Sequence, residues 1–454
     1  MSEDYLVRVE NLKKHFPLKQ GFFQTLLSKE ELTVKAVDGV SFGLRKGEIL
    51  GLAGESGSGK TTTGRLLVRL TDPTDGAVYF EGKDISAVMG RKLRGLGKVE
   101  KGAKCSVPDC GRKAERAVSS VDIARAGMEG PPGDRGYLCQ LHFKEAKKKL
   151  ETRPKLKNIG NVERGSECVV VACGRKAKYH VDAMDIAKGG LQTSSAKGYL
   201  CHLHFNELEE NLYGWRSLKD LRRRMQIVFQ DPFESLDPRM TIKEIVAEPV
   251  RVQKVAKNES EVEERVKAAL TDVELVPPEI FLFRFPHELS GGQRQRVAVA
   301  RAFILDPKFV VADEPVSMLD VSIRAEILNL MVDLVKKKST SVVYITHDLA
   351  LAKHVCDRIA IMYLGKIMET ASSEKLIDAP LHPYTQALIA AVPLPDPSHK
   401  RGDVISGEIP SPVYPPPGCR FNTRCPYAHT RCTIEEPSLA EVEEGHFVAC
   451  HLYS

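Results

Sequence analysis

The sequence has few aromatic residues and no long apolar run. Aromatic residues make up 6% of the 454 residues, and Trp215 is the one tryptophan. The amino terminus, MSEDYLVRVENLKKHF, is charged and has no apolar stretch of signal-peptide length. No later segment approaches the run of about eighteen apolar residues that a membrane span needs. These absences exclude a secreted precursor or an integral membrane protein, and we expect a soluble, cytoplasmic chain.

The composition is that of a globular protein with several domains. Apolar residues make up 42% of the chain, and its length is typical of about three domains. The net charge of +6 is too small to indicate a nucleic-acid partner by itself, although residues 96–165 are distinctly basic. The eleven cysteines carry no secretory context, so we expect metal ligands rather than disulfides.

The order of apolar segments indicates an α/β fold with an interruption. Val7 to Glu10 and Val34 to Leu44 have the pattern of strands. GEILGLAGESGSGKTTTGRLLVRL predicts a strand, a glycine-rich loop and a helix, and PKFVVADEP and TSVVYITHD predict buried parallel strands. Around Arg94 the pattern changes to glycine- and lysine-rich sequence with clustered cysteines, and it returns near Trp215. We therefore predict a doubly wound α/β domain that contains an insert.

The glycine-rich loop predicts a phosphate site. GESGSGKT fits G-x4-G-K-[ST], in which backbone N–H groups approach phosphates, Lys60 neutralises their charge and the hydroxyl of Thr61 binds Mg²⁺. After the strand FVVA, Asp313 is expected to hold Mg²⁺ through water and Glu314 to polarise the attacking water. The predicted loop residues are Gly54, Glu55, Ser56, Gly57, Ser58, Gly59, Lys60, Thr61 and Thr62.

The segment LSGGQ, upstream of the Asp-Glu strand, resembles the signature of ABC ATPases. The resemblance implies a P-loop fold with a RecA-like parallel sheet core and antiparallel β and helical subdomains. It also implies two ATPase domains that face each other head to tail, so that each signature closes on the γ-phosphate held by the other domain. The matching positions are Ser290, Gly291, Gly292 and Gln293 in the signature, Gln230 as the Q-loop residue that senses Mg²⁺, Asp320 in the D-loop, His347 as the switch histidine and Phe16 as the adenine-stacking residue.

The resemblance is most specific to the second ATPase of oligopeptide and dipeptide importers. It is carried by RRRMQIVFQDPFESLDPRM, FPHELSGGQRQRVAVARA and the tail HPYTQALIAAVPLPDP. It implies ATP and Mg²⁺ as cofactors, two membrane permease subunits, an extracellular substrate-binding protein, a related second ATPase subunit and a location on the inner face of the membrane. A homodimer remains open. The predicted domains are an ATPase domain at 1–95 and 215–380, an insert at 96–214 and a loop-rich carboxyl-terminal domain at 381–454.

The tail contains a quartet of cysteines that recurs in this family. The quartet resembles a site that holds an iron–sulfur cluster in some members of the family, and four thiolates suit either a 4Fe–4S cluster or tetrahedral zinc. Reduced cysteines that pack as small apolar residues are the alternative. The quartet is Cys419, Cys425, Cys432 and Cys450.

The insert is a repeated Cys/His module. CSVPDCGRKA, ending in GYLCQLHF, recurs as CVVVACGRKA, ending in GYLCHLHF. Each copy supplies three cysteines and one histidine, a common structural zinc set whose last two members lie on one helical face. His202 is an alternative to His204. The two ligand sets are Cys105, Cys110, Cys139 and His142, and Cys168, Cys173, Cys201 and His204.

Two roles for the insert are left open. Zinc would stabilise a segment too polar to form a core, and this is the simpler role. Alternatively, the basic first copy, which includes Lys147, Lys148 and Lys149, would contact anionic lipid or nucleic acid. The excision-repair damage-recognition ATPase also interrupts ABC domains with zinc modules, so a DNA-associated ATPase is the alternative function. One ATPase domain in the chain and the HPYTQAL tail favour the transporter.

Overall fold

The protein is described from a computed structural model that covers residues 5–18, 32–85, 103–106, 110, 112–119, 135–151, 166–168, 170, 173, 175–181, 199–201, 204, 218–391 and 407–453. The chain forms two compact units, and each is described by itself. The larger contains Met1–Val78 and Arg222–Ser454, and the smaller contains Tyr79–Leu221. The smaller unit thus interrupts the larger in sequence, as expected for an insert, and its bounds are wider than residues 96–214.

The described strands alternate with helices over most of the larger unit. In chain order the strands are β1 (Tyr5–Pro17), β2 (Thr33–Arg45), β3 (Ile49–Ala53), β4 (Asp75–Phe80), β5 (Lys83–Asp84), β6 (Arg116–Ser119), β7 (Arg135–Leu138), β8 (Tyr179–His180), β9 (Tyr199–Leu200), β10 (Met225–Val228), β11 (Phe309–Asp313), β12 (Ser341–Thr346), β13 (Arg358–Tyr363), β14 (Lys366–Ser372), β15 (Ala440–Glu443) and β16 (His446–Val448).

The helices in chain order are α1 (Lys60–Leu67), α2 (Gln140–Glu151), α3 (Leu218–Arg224), α4 (Pro232–Ser235), α5 (Ile242–Gln253), α6 (Glu259–Asp272), α7 (Glu279–Leu282), α8 (Gly291–Phe303), α9 (Val321–Lys338), α10 (Leu349–Val355), α11 (Ser373–Asp378), α12 (Pro383–Ala390) and α13 (Thr430–Ile434).

The main sheet of the larger unit has the order β10-β11-β12-β3-β13-β14-β16-β15. From β10 to β13 neighbouring strands are parallel, and beyond β13 they are antiparallel. Every residue of β3, β11 and β12 is buried, because helices cover both faces of a parallel sheet. The predicted α/β fold with buried parallel strands is confirmed.

The carboxyl ends of four neighbouring strands carry the predicted site residues. The phosphate loop follows β3, Gln230 follows β10, Glu314 follows β11 and His347 follows β12. Since these strands are parallel and adjacent, their ends meet at one edge of the sheet. This edge is where ligands bind in open α/β sheets.

A second sheet of the larger unit carries the predicted adenine-stacking residue. Strands β1 and β2 pair antiparallel, with Phe16 opposite Val34. The strands are long and irregular, with several register shifts along β1. This pairing brings Phe16 beside the strand that leads into β3.

The predicted helices in residues 241–275 are present as α5 and α6. Thr241 caps α5 by a reciprocal capping box with Glu244, and Asn258 caps α6 through Glu261 N–H. The apolar faces of both helices join the core that also contains α8. The core therefore fixes the start of α8, where the signature lies.

The two copies of the Cys/His repeat in the smaller unit have the same backbone hydrogen bonds. Cys105 N donates to Arg112 O, and Cys168 N donates to Arg175 O, both at 2.8 Å. A short antiparallel pair of strands is present in each copy, β6 with β7 and β8 with β9. In the first copy α2 begins next to Cys139 and carries His142. Lys147, Lys148 and Lys149 are part of α2, and His202 lies outside the described residues.

The carboxyl-terminal region lies within the larger unit. Strand β16 pairs with β14 of the main sheet, with Val448 opposite Glu369. The buried carboxylate of Glu369 accepts hydrogen bonds from His382 N and His446 Nε2. These hydrogen bonds connect β14, the start of α12 and β16. Within the described ranges, no helix combines the length and apolar composition that crossing a bilayer requires.

Candidate functional site

The phosphate loop connects β3 to α1 and depends on two glycines. Gly54 has φ 147° and Gly59 has φ 105°, which are conformations that other residues rarely adopt. A Cβ at Gly54 would lie 2.2 Å from Met362 O, and a Cβ at Gly59 would lie 2.2 Å from Ala36 O. Backbone packing on two sides therefore requires glycine at both positions.

Lys60 places a buried positive charge in this loop. Its side chain nitrogen donates to Gly54 O at 2.7 Å and to Glu55 O at 2.9 Å. Burial lowers the pKa of Lys60, and the nearby carboxylates of Glu314 and Asp313 oppose this shift. Lys60 also begins α1, so its charge adds to the positive end of the helix dipole. The loop is suited to binding an anion.

The side-chain oxygen atoms of Thr61 and Asp313 are in contact at the edge of the sheet. The Thr61 hydroxyl donates to Asp313 Oδ1 at 2.9 Å, although the two residues are far apart in sequence. Burial raises the pKa of Asp313, and the neighbouring Glu314 carboxylate raises it further. A hydroxyl and a carboxylate are ligands that Mg²⁺ prefers, so this pair fits a magnesium ion beside the phosphate loop.

Glu314 lies at the centre of the candidate site. It has a left-handed backbone with φ 45°, an uncommon conformation for glutamate that directs its side chain out of the strand. Gln230 Nε2 donates to its Oε2 at 3.1 Å, and His347 Nδ1 lies 3.1 Å from its Oε1. Three of the predicted residues, from three different loops, therefore make direct contact.

The phosphate loop, together with Gln230, Glu314 and His347, lines a cleft of about 790 Å³, which is large enough for a nucleotide. Phe16 lines one side and is 40% exposed, as an adenine-stacking ring would be. His15 does not line the cleft and instead lies 2.8 Å from Asp38. The lining residues are Phe16, Val34, Ala36, Ser56, Gly57, Gly59, Lys60, Thr61, Thr62, Gln230, Glu314, His347 and Pro412.

The signature residues lie outside the lining of this cleft in the described structure. Ser290 caps α8, accepting from Gln293 N, while the Gln293 side chain accepts from Ser290 N. A Cβ at Gly292 would lie 2.8 Å from Ile323, so glycine is required there for close packing. The start of α8 carries the Ser290 hydroxyl and the positive end of the helix dipole, a combination that suits an anion.

The backbone carbonyl groups of the D-loop, residues 317–320, accept hydrogen bonds that hold the loop in its conformation. Arg324 donates to Leu319 O at 2.7 Å and to Ser317 O at 3.3 Å. Met318 is 62% exposed, and Asp320 is exposed at the start of α9. Both side chains are therefore accessible to a neighbouring chain.

Sequence reasoning missed a contact between the tail and the phosphate loop. Arg424 forms a two-point ion pair with Glu55, at 2.8 Å and 3.1 Å, and Glu55 N donates to the Tyr384 hydroxyl at 2.9 Å. Pro412 also lines the cleft. The segment HPYTQAL indicated family membership, but nothing in the sequence of the tail indicated these partners.

The structure brings each predicted Cys/His set of the insert together. In both sets the four ligand atoms lie within 4.8 Å of one another. The sulfur atoms of Cys110 and Cys139 are 3.8 Å apart, as are those of Cys173 and Cys201. A tetrahedral zinc site with Zn–S bonds of about 2.3 Å requires sulfurs about 3.8 Å apart. Both sets fit zinc.

The tail quartet has a different geometry. All four cysteines lie among the described residues, and the electrostatic influence of Cys425, Cys432 and Cys450 reaches Cys419. Burial raises the pKa of Cys419 to about 12. Among the described residues, however, the quartet does not bring three ligand atoms within 4.8 Å of one another. The four cysteines are neighbours in the fold, but they do not form a cluster as tight as either insert set.

Two family models match the chain. Residues 37–107 and 193–317 match the model described as ABC transporter, and residues 368–432 match the oligopeptide/dipeptide transporter carboxyl-terminal region. The ABC transporter match is interrupted between residues 107 and 193, where most of the Cys/His repeat lies.

Three curated relatives match over nearly the whole chain. The oligopeptide transport ATP-binding protein AppF of Bacillus subtilis is 35% identical over 459 residues, covering 100% of this chain and 99% of that protein. A putative peptide import ATP-binding protein of Brucella ovis is 35% identical, covering 99% and 98%. The putative oligopeptide transport ATP-binding protein YkfD of Bacillus subtilis is 34% identical, covering 99% and 95%.

Proposed function

Because the chain belongs to the ABC transporter ATP-binding proteins, in the oligopeptide/dipeptide branch of that family, we propose that it binds and hydrolyses ATP to power peptide uptake across the cytoplasmic membrane. The observation that supports this most directly is the position of Glu314. Its carboxylate contacts Gln230 and His347 in the cleft that contains Lys60 and Thr61.

The phosphates of ATP would be held by the loop that follows β3. The backbone N–H groups of Gly57 and Gly59 and the ammonium of Lys60 would bind the β- and γ-phosphate oxygens. Thr61 and Asp313 would hold Mg²⁺, the latter through water, and Gln230 would sense this ion. The ion supplies charge neutralisation for the transferred phosphoryl group.

Glu314 is the proposed general base. Its Oε1 and Oε2 atoms are held by His347 and Gln230, and the carboxylate accepts the proton of the attacking water. His347 would in addition donate to the γ-phosphate, and it is exposed enough to reach a bound nucleotide. Orientation and charge stabilisation by these residues, rather than covalent chemistry, would accelerate hydrolysis.

A second ATPase chain would complete the site. The signature residues Ser290 to Gln293 do not line this chain's own cleft in the described structure, but Ser290 and the start of α8 can bind a phosphate presented by a partner. Asp320, next to the start of α9, would lie at that interface. We propose a related but distinct partner ATPase, two permease subunits and, indirectly, an extracellular substrate-binding protein. The complex would place this chain on the cytoplasmic face of the membrane.

Each Cys/His set of the insert would bind one structural zinc ion. The separation of 3.8 Å between sulfurs supports a single tetrahedral ion in each set. The histidines bind through Nδ1, since this atom lies 3.2 Å from Cys105 Sγ in the first set and 3.1 Å from Cys168 Sγ in the second. Residues 96–214 are then a duplicated zinc-binding insert.

The tail quartet would bind a larger group than one zinc ion. Among the described residues the quartet is not one of the groups that bring three or more ligand atoms within 4.8 Å of one another, as one tetrahedral zinc ion requires. A 4Fe–4S cluster holds its four cysteines around several iron atoms and does not need all of the sulfurs to be so close. We therefore favour the cluster over zinc for Cys419, Cys425, Cys432 and Cys450.

The function is tested with the full chain assembled with its partner ATPase and its permeases in vesicles, with the substrate-binding protein added. We expect ATP-dependent uptake of an oligopeptide mixture, and loss of both uptake and hydrolysis in the Glu314→Gln variant, by about a hundredfold or more. The variant should bind ATP as tightly as the unaltered chain because it keeps the phosphate loop. Normal hydrolysis by the variant would contradict the assignment of Glu314. Hydrolysis that responds to DNA but not to peptide would favour the DNA-associated alternative.

The metals are tested on the chain purified without oxygen. We expect about two zinc ions per chain together with iron and sulfide. Three zinc ions and no iron would instead make the tail a zinc site. Absence of metal would contradict both assignments but leave the ATPase function intact.

A further inference from the structure

The carboxyl-terminal tail contacts the phosphate loop through a buried ion pair. Arg424 Nη1 donates to Glu55 Oε2 at 2.8 Å, and Nη2 donates to Glu55 Oε1 at 3.1 Å. The Arg424 side chain is only 6% exposed and that of Glu55 is 22% exposed. Paired bonds of this kind fix both distance and orientation, and arginine forms them better than lysine.

Tyrosines hold both members of the pair. The backbone N–H of Glu55 donates to the Tyr384 hydroxyl at 2.9 Å, and Arg424 donates to the Tyr363 hydroxyl at 3.3 Å. The rings of Tyr363 and Tyr384 are 4.7 Å apart, and each packs against Phe421 of the tail. Burial makes this group rigid, so Glu55 is fixed at its backbone and its carboxylate.

The fixed residue is in direct contact with the phosphate-binding lysine. Glu55 O and Gly54 O are the two carbonyls that accept hydrogen bonds from Lys60. The position of the Glu55 peptide therefore sets where the Lys60 ammonium lies. A continuous series of contacts runs from Arg424 through Glu55 to Lys60.

The tail also contacts the strand beside the adenine side of the cleft. Arg420 pairs with Asp38, and Asp38 contacts His15, the neighbour of Phe16. Arg420 and Arg424 flank Phe421 within the segment that carries Cys419 and Cys425. The tail segment thus contacts both edges of the nucleotide cleft.

We propose that the carboxyl-terminal tail is a support for the nucleotide cleft, with Arg424 as the positioning residue that holds the phosphate loop in its ATP-binding geometry. Arg424 contacts no nucleotide and acts through Glu55 and Lys60. The inference rests on the proposed ATPase function and assigns the tail a role in that function. Loss of the Arg424 side chain should weaken the binding of ATP without abolishing the fold.

The experiment measures the dissociation constant for ATP of the full chain in the Arg424→Gln and Arg424→Lys variants. We expect Arg424→Gln to weaken binding about tenfold, because the loop loses two charged hydrogen bonds. Arg424→Lys should restore part of this loss, since it keeps the charge but not the paired bonds. Unchanged affinity in Arg424→Gln would overturn the proposal.

Two matched variants separate positioning from stability. Arg431→Gln removes an exposed arginine of the tail that pairs with Glu435, and His446→Gln removes a buried histidine that contacts Glu369. The partners of these two residues, Glu435 and Glu369, lie outside the phosphate loop. We expect both variants to bind ATP with the affinity of the unaltered chain. This should hold for His446→Gln even if it lowers the melting temperature as much as Arg424→Gln does. Equal loss of affinity in His446→Gln would show a general stability effect and would contradict a positioning role.

Metal content gives a readout that is independent of nucleotide binding. Arg424 is not a ligand, so Arg424→Gln should keep the metal content of the unaltered chain. Loss of metal together with loss of affinity would mean that the tail itself had collapsed, which would overturn the proposal. If the unaltered chain failed to bind ATP, the proposed ATPase function would fail instead.

Discussion

The phosphate loop, Gln230, Glu314 and His347 of the nucleotide cleft follow the ends of four adjacent strands, whereas each Cys/His set of the smaller unit comes from fewer than forty consecutive residues. In the larger unit an extensive apolar core holds the site residues in place before any ligand binds. In the described parts of the repeat, many of the buried residues are the cysteines themselves, with Leu138 and Leu200 beside them. From this comparison we expect the nucleotide cleft to keep its form without a ligand and the two Cys/His sets to depend on the zinc ions proposed for them.

The largest expected effect is that of metal removal. A strong zinc chelator should unfold the two modules while the larger unit keeps its fold and its affinity for ATP, because structural zinc contributes about 10 kcal/mol or more to such modules. Hydrogen exchange should show loss of protection in Arg135–Leu138 and none in β3 or β12. Protection of Arg135–Leu138 that survives complete zinc removal would contradict this difference between the units.

The next effect is the loss of one zinc from one module. Cys105→Ser should remove about one zinc ion per chain and leave the second module protected, and Cys168→Ser should do the reverse. Each variant is the control for the other, because the two sets have the same ligand types and the same sulfur separations. Loss of both ions from either variant would show that the modules fold as one unit.

A smaller effect is expected from a core defect in the larger unit. Leu52 is fully buried in β3, so Leu52→Ala should lower the free energy of unfolding by about 2–5 kcal/mol. Denaturation followed through ATP binding should report this loss, while zinc content stays constant. A change in zinc content would mean that the stability of the modules depends on the core of the larger unit.

The smallest effect is the loss of one helix cap. Thr241→Ala removes the capping box of α5 and should cost about 1 kcal/mol in the same measurement. Thr271→Ala, at an exposed position near the end of α6, is the control, since the Thr271 hydroxyl only donates to Lys267 O. An equal loss in both variants would argue against a specific contribution of the cap.

The sequence predicted the sites whose members are close in the chain or mark the ends of apolar strands. The phosphate loop and the Asp313–Glu314 pair follow short apolar runs, and the two Cys/His sets repeat at nearly the same spacing. The pair Arg424–Glu55 could not be predicted, because the residues are 369 positions apart and meet only after the tail packs against the sheet. The arrangement of the tail cysteines could not be predicted for the same reason, since it depends on how the loops fold rather than on sequence spacing.

The extent of the interruption in the larger unit has a consequence for folding. Strands β3 and β12 are neighbours in the sheet, and the whole of Tyr79–Leu221 lies between them in sequence. This segment about doubles the length of the loop that the two strands must close, and a doubling costs only about 0.6 kcal/mol of chain entropy. The ATPase domain can therefore carry a second compact unit at this point of the chain for a small thermodynamic penalty.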